Sequence, residues 1–267
     1  MSRIDEVFKR LKKENGVALM PFMTAGDPDL HMTGSVIREL EKNGADIIEL
    51  GIPFSDPLAD GPTIQRSSQR ALAGGVSLAK ILIFLKELRR DVSIPMVLMG
   101  YYNPFLRYGL ERFAGDAKEA GADGLIVPDL PPEEAEDLIR EARRVDLDTV
   151  FLLAPTSTEE RIKRIAAVSR GFVYYVSLTG VTGQRDRLSD DIGLSIDRIR
   201  KVTSQPVCVG FGISKPEHAG RVSRFADGVI VGSALVGFIE EHLNDPACPF
   251  RAGDFLLEFR KATKRQG

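Results

Sequence analysis

Val17-Ala-Leu-Met-Pro-Phe-Met-Thr24-Ala-Gly-Asp-Pro28 is an apolar run closed by a short turn, and Leu30 to Lys42 follows it with helical spacing of its apolar residues. Asp46 to Leu50 is the next apolar run, so the chain opens as a strand, helix, strand unit. The turn decides between two architectures. An open doubly wound sheet usually carries a glycine fingerprint after its first strand, and Thr24-Ala-Gly-Asp-Pro28 lacks it. Further strands are expected at Pro95 to Tyr101, Gly124 to Pro128, Thr149 to Ala154, Phe172 to Ser177, Pro206 to Gly210 and Gly228 to Gly232, eight in all. Helical patterns follow at Glu133 to Arg144, Glu159 to Val168, Ile192 to Val202, Pro216 to Arg224 and Ala234 to His242. Eight such repeats predict an α/β fold, a closed (β/α)8 or TIM barrel. Extra helices are expected at the N-terminus, after strand 2, between Asn103 and Ala120, and from Phe250 to Lys264.

No shift in composition marks a linker, so residues 1–267 are expected to form a single barrel domain. A net charge of -2 with 28% charged residues disfavours a nucleic-acid surface. The longest apolar runs fall far short of the roughly 20 residues a bilayer span needs, so no membrane segment is expected. The N-terminus reads as a charged amphipathic helix rather than a secretory signal. Cys208 and Cys248 are the only cysteines, which suits a reducing, cytoplasmic location.

In this barrel the chemistry lies at the C-terminal strand ends. Those tips are Thr24, Glu49, Tyr101, Asp129, Thr156, Ser177, Gly212 and Ser233, with Asp60 arriving on the loop after strand 2. None is Lys, Arg or His. The two-residue period puts Glu49 on one face with Ile47, and burial there raises a carboxyl pKa unless a cation stands beside it. That is the condition a general acid or base requires. A Schiff-base mechanism would need a lysine at the mouth, and metal catalysis would need clustered ligands, whereas His31, His218 and His242 fall on predicted helices or their flanks. No metal site is expected. Carbon chemistry run by two carboxyl groups implies a substrate that supplies its own electron sink.

Gly210-Phe-Gly-Ile-Ser214 and Val231-Gly-Ser-Ala234 follow the last two strands, where exposed amides and a helix N-terminus favour a phosphate dianion. Leu178-Thr-Gly-Val-Thr-Gly183 offers more amides, and Gln184 to Asp191 fits either a lid or a solvated loop. Asp129 fits either a cap on the helix that follows it or a support for the site. Tyr174 and Tyr175 alternate, so one of them faces the barrel.

Pro21-Phe-Met-Thr-Ala-Gly-Asp-Pro28, Glu49-Leu-Gly-Ile-Pro-Phe-Ser-Asp-Pro-Leu-Ala-Asp-Gly-Pro62, Val127-Pro-Asp-Leu-Pro131, Gly180-Val-Thr-Gly183 and Gly210-Phe-Gly-Ile213 together resemble the tryptophan synthase alpha subunit family. The resemblance spans the chain, and the Glu49 to Pro62 segment is its most specific part. It implies a lyase: retro-aldol cleavage of indole-3-glycerol phosphate to indole and glyceraldehyde 3-phosphate, with indole passed to a beta subunit for the last step of L-tryptophan biosynthesis. By this resemblance Glu49 is the acid/base and Asp60 the carboxylate beside the ring nitrogen. Phe22, Ile64, Met99, Ile126, Tyr174, Thr182 and Phe211 would contact the substrate, and Gly183, Gly212, Gly232 and Ser233 the phosphate, with Thr24 and Asp129 supporting from behind. The family also implies no cofactor in this chain, pyridoxal phosphate on the beta subunit, and an alpha2-beta2 heterotetramer. A stand-alone indole-3-glycerol phosphate lyase and a subunit that mainly activates its partner are the alternative readings. A different phosphosugar isomerase or epimerase is more distant.

Overall fold

Strand β1 (Ala18–Thr24) is buried at every position, as a parallel strand covered on both faces must be. The computed structural model describes residues 1–177, 185–210 and 212–265. Its strands are β2 (Ile48–Gly51), β3 (Met96–Met99), β4 (Gly124–Ile126), β5 (Asp148–Val150), β6 (Leu152–Leu153), β7 (Val173–Val176), β8 (Val207–Gly210) and β9 (Gly228–Val231). All pair in parallel, in the order β5-β4-β3-β2-β1-β9-β8-β7-β6. The two ends of that order are consecutive in the chain, so the sheet closes on itself.

The expected strand Thr149 to Ala154 is thus split. Residues 148–150 pair with β4 and residues 152–153 with β7, and Phe151 lies at the handover, its carbonyl accepting from the Tyr174 amide at 3.2 Å. Side-chain alternation runs unbroken through the split. Val150 and Leu152 join the interior cluster, while Phe151 and Leu153 face the outer helices. The same rule puts Ala18, Met20, Ile47, Val97, Ile126, Tyr174, Cys208 and Ile230 inside and Leu19, Ile48, Leu50, Tyr175 and Val209 outside.

Helix α1 (Arg3–Lys13) plugs the N-terminal end with Ile4, Phe8 and Leu11. Ser2 and Asp5 form a capping box at its start, and the Ser2 hydroxyl also donates to Asp148 at 2.6 Å, fixing the plug to β5. The C-terminal strand ends lie at the opposite end of the barrel.

Around the barrel run α2 (Leu30–Lys42), α3 (Pro62–Ala73), α4 (Leu78–Leu88), α5 (Tyr102–Tyr108), α6 (Leu110–Glu119), α7 (Glu136–Arg144), α8 (Glu159–Val168), α9 (Arg185–Arg200), α10 (Pro216–Val222), α11 (Ser233–Glu241) and α12 (Cys248–Ala262). Helix α7 starts three residues later than expected, because Pro132 to Glu134 form a turn first. Helix α9 starts at Arg185 instead of Ile192, so the stretch read as lid or loop is helical from there on. Buried Ile192, Ile196 and Ile199 anchor that helix, and extension from a packed segment costs less than starting one, so its polar first turns needed no apolar period of their own. No described helix is long and apolar enough to cross a membrane.

Candidate active site

Glu49 is the second of the four residues of β2, in register with Phe22 of β1 and Val97 of β3, and points inward. It is completely buried, and neither carboxyl oxygen has a hydrogen-bond partner among the described residues. Burial, reinforced by the negative charge of Asp60, pushes its pKa up to about 8. The hydroxyl of Tyr174 is likewise held protonated by burial and by the Glu49 charge.

Asp60 reaches the same space from the loop after β2. Burial raises its pKa, while a hydrogen bond from Tyr101 opposes the rise. Tyr101 organises the loop as well. Its hydroxyl accepts the Ala59 amide at 2.8 Å, and its ring packs on Phe54 with centroids 5.3 Å apart. From the other side Gln65 donates to the Asp60 carbonyl at 2.8 Å, tying the loop to the first turn of α3. Tyr101 was legible only as a strand tip; its proximity to Asp60 depends on the neighbouring strand.

A cavity of about 140 Å³ lies between these groups, and its lining divides by chemistry. Phe22, Ile64, Met99, Tyr174 and Ile230 supply an apolar slot, Glu49 and Asp60 the two carboxyls, and Gly212, Ile213, Ser214, Gly232, Ser233 and Ala234 two loop ends. No Lys, Arg or His side chain lines it among the described residues. Gly212 has φ 76°, a conformation that favours glycine. Gly232 is the N-cap of α11, so Ser233 is its first helical residue rather than its cap. That end carries no side-chain cap bond and no acid in its first turn, leaving amides and the positive dipole end open to an anion. His218 of α10 supports the neighbouring loop, with Nδ1 3.2 Å from the Gly212 carbonyl and 3.3 Å from the Ser214 hydroxyl.

Among the remaining expected residues, Ile126 is buried in the barrel interior but does not line the cavity. Thr182, Gly183 and Phe211 lie outside the described residues. Thr24 is buried and hydrogen-bonds Ser67 of α3 at 2.6 Å; since Ser67 donates to the Ile64 carbonyl at 2.8 Å, Thr24 is the donor between the two hydroxyls. Asp129 does not cap α7, which begins after Ala135 without a side-chain cap bond. It accepts the Tyr102 amide at 3.0 Å instead and so serves the start of α5, the element beside Tyr101. No group of three His, Cys, Asp or Glu among the described residues is placed to hold a metal ion. Chemically the site offers one carboxyl that keeps its proton near neutral pH, a second that burial raises above its ordinary value against an opposing Tyr101 hydrogen bond, an apolar slot and an anion cradle.

Comparison with known proteins meets this geometry from outside. A family model described as Tryptophan synthase alpha chain matches residues 8–262. A tryptophan synthase alpha chain from Geotalea uraniireducens (strain Rf4) is 53% identical over 267 residues, covering 100% of both chains. One from Geobacter sulfurreducens is 55% identical over 240 residues, 90% of this chain and 91% of the other. The crystal structure of tryptophan synthase subunit alpha from Legionella pneumophila str. Paris superposes with a TM-score of 0.91 at 42% identity, covering 98% of each chain.

Proposed function

The chain belongs to the tryptophan synthase alpha chain family, and from that premise we infer how its own residues cleave indole-3-glycerol phosphate to indole and glyceraldehyde 3-phosphate. The observation that carries the inference is the Glu49 carboxyl, completely buried and unpartnered among the described residues, at the wall of the cavity. Held protonated near neutral pH, it delivers a proton to indole C3. The ring becomes an iminium whose C=N takes up electrons. Glu49, now ionised, removes the proton from the hydroxyl on the carbon attached to the ring. That carbon becomes an aldehyde as the C–C bond breaks, and the bond's electron pair restores the indole. One proton enters and one leaves, so neither metal nor lysine is required.

Positive charge on the ring nitrogen is greatest in the iminium, and Asp60 stabilises it there as a carboxylate. The slot formed by Phe22, Ile64, Met99 and Tyr174 holds the indole, while Gly212, Gly232 and Ser233 present amides to the phosphate, together with Gly183. We assign Thr182 and Phe211 to substrate contact, with Thr24 and Asp129 holding α3 and α5 from behind. Residues 1–267 act as one barrel domain in the cytoplasm. The chain holds no cofactor of its own, and pyridoxal phosphate belongs to the beta subunit that receives the indole in an alpha2-beta2 assembly. The test is indole release from indole-3-glycerol phosphate by the purified chain, alone and with a beta subunit. Release in at least one condition is expected, and none in either would remove the enzyme reading. Since the chain contains no Trp, product fluorescence is read without tryptophan background from this chain.

A smaller effect is expected at Gly210, where an added Cβ would sit 2.2 Å from the Tyr174 hydroxyl oxygen and 2.6 Å from its ring. Both atoms belong to buried, closely packed structure, so Gly210→Ala must drive the tyrosine out of place. A misplacement of about 1 Å costs up to roughly 10²-fold in rate, so steady-state kinetics should show kcat/KM lower by about 10- to 100-fold. An unchanged kcat/KM would mean that Tyr174 does not shape the slot.

A further inference from the structure

Helices α3 and α11 meet along a seam outside the cavity. A Cβ added to Gly237 would lie 3.7 Å from the Thr63 methyl, so the two backbones approach closely there. Three residues further along both helices, Arg66 donates to both carboxylate oxygens of Glu240, at 2.8 and 2.6 Å. One turn beyond Arg66, Arg70 reaches the same carboxylate at 2.5 Å and grips buried Asp27 through two more bonds of 2.7 and 2.8 Å. The cluster therefore ties the loop after β1 to both helices.

The opposite ends of those helices face the cavity. The first turn of α3 carries Ile64 into the slot and holds the Asp60 carbonyl through Gln65. Helix α11 presents Gly232, Ser233 and Ala234 at its start. A substrate that is indole at one end and phosphate at the other must reach both at once, and it binds well only if their separation is fixed in advance. We propose that Glu240, through Arg66 and Arg70, is a positioning residue that fixes the spacing between Asp60 and the amides at the start of α11. This rests on the reading of the cavity given above. Two bidentate guanidinium–carboxylate contacts, Arg66 with Glu240 and Arg70 with Asp27, suit such a role, because each constrains orientation as well as distance. The arginines hold the Glu240 carboxyl down to about 2, so the clamp stays charged across any working pH.

The test compares one ligand that spans the cavity with two that do not, in Glu240→Gln and in wild type. Indole-3-propyl phosphate, the substrate without its hydroxyls, is the spanning probe, and indole and inorganic phosphate are the fragments; calorimetry gives each Kd. Loss of the clamp should weaken the spanning probe about tenfold while each fragment stays within about twofold. The kcat/KM for cleavage should fall in parallel, by about tenfold, with the pH limbs of the profile unmoved. Arg66→Gln removes one of the two bidentate contacts from an exposed side chain and gives the same comparison should Glu240→Gln not fold. Equal losses for the spanning probe and the fragments, or no loss at all, overturn the proposal. Binding requires no turnover, so a failure of the cleavage reading shows separately, in wild-type enzyme that releases no indole.

Discussion

Glu49→Gln will lower indole release by about 10²- to 10⁴-fold, the usual contribution of a positioned proton-transfer group, and will leave the Kd for indole-3-propyl phosphate nearly unchanged. The amide fills the same volume and makes the same van der Waals contacts with the slot, but it can neither give a proton to C3 nor accept one from the hydroxyl. Single-turnover kinetics with the phosphate substrate separates the two effects. Retention of substantial turnover would remove Glu49 from its role.

The same change should alter stability in a direction that the contacts alone do not suggest. The folded-state pKa of Glu49 is raised from 4.5 to about 8. Below 4.5 the carboxyl is protonated whether the chain is folded or not, and the advantage this gives the folded state relative to high pH is fully present. As pH rises from 4.5 through 8 the unfolded chain ionises freely while the buried group resists, so that advantage is lost, on the order of 5 kcal/mol for a shift of this size. Solvent entering the cavity reduces the figure. In urea titrations at a series of pH values, wild type should weaken across this window and Glu49→Gln should not. Above pH 8 the variant should be the more stable protein, as expected when a functional group is held where it is least comfortable.

Asp60→Asn carries the second large effect. Removing the charge that faces the developing ring cation should cost about 10²- to 10³-fold in kcat, the scale seen when a preorganised electrostatic partner is removed. An asparagine oxygen can still accept the Tyr101 hydrogen bond, so the loop should keep its place and the loss should fall on kcat rather than KM. The pH profile adds a second signature. Asp60 must be ionised and its pKa lies above the ordinary 3.8, so wild-type activity should fall as pH drops through that raised value. The Asp60→Asn variant lacks this limb. Because the Asp60 charge helps raise the Glu49 pKa, the high-pH limb should move down in the variant. An unshifted upper limb would mean that the two groups do not sense each other.

The parts of the protein that obey a local period were readable from the sequence. Alternation along β2 put Glu49 inside with Ile47, and the helices Leu30–Lys42 and Glu159–Val168 have the bounds their spacing gave. Each of those two begins at a side-chain cap, Asp29 to the Met32 amide and Thr158 to the Arg161 amide, and such caps are local signals. What escaped depends on partners distant in sequence. The split at Phe151 arises because adjoining stretches of one strand pair with different neighbours. The capping role of Asp129 went to α5 rather than to its own following helix, a relation between adjacent barrel loops. Tyr101 gained its function from Asp60 and Ala59 across the gap between strands β2 and β3. Ile230 lines the cavity without any motif that marks it, since an apolar residue in a strand is equally at home in a core, whereas Ile213, Ser214 and Ala234 fall within the two glycine segments without being singled out there.

All of the chemistry above depends on one protonation state. Carbon-13 NMR of protein labelled at the glutamate carboxyls, with the Glu49 signal identified by its absence from Glu49→Gln, follows that state directly against pH. A Glu49 midpoint near 8 is the result predicted by its burial and by the Asp60 charge; a midpoint near the ordinary 4.5 would contradict the account.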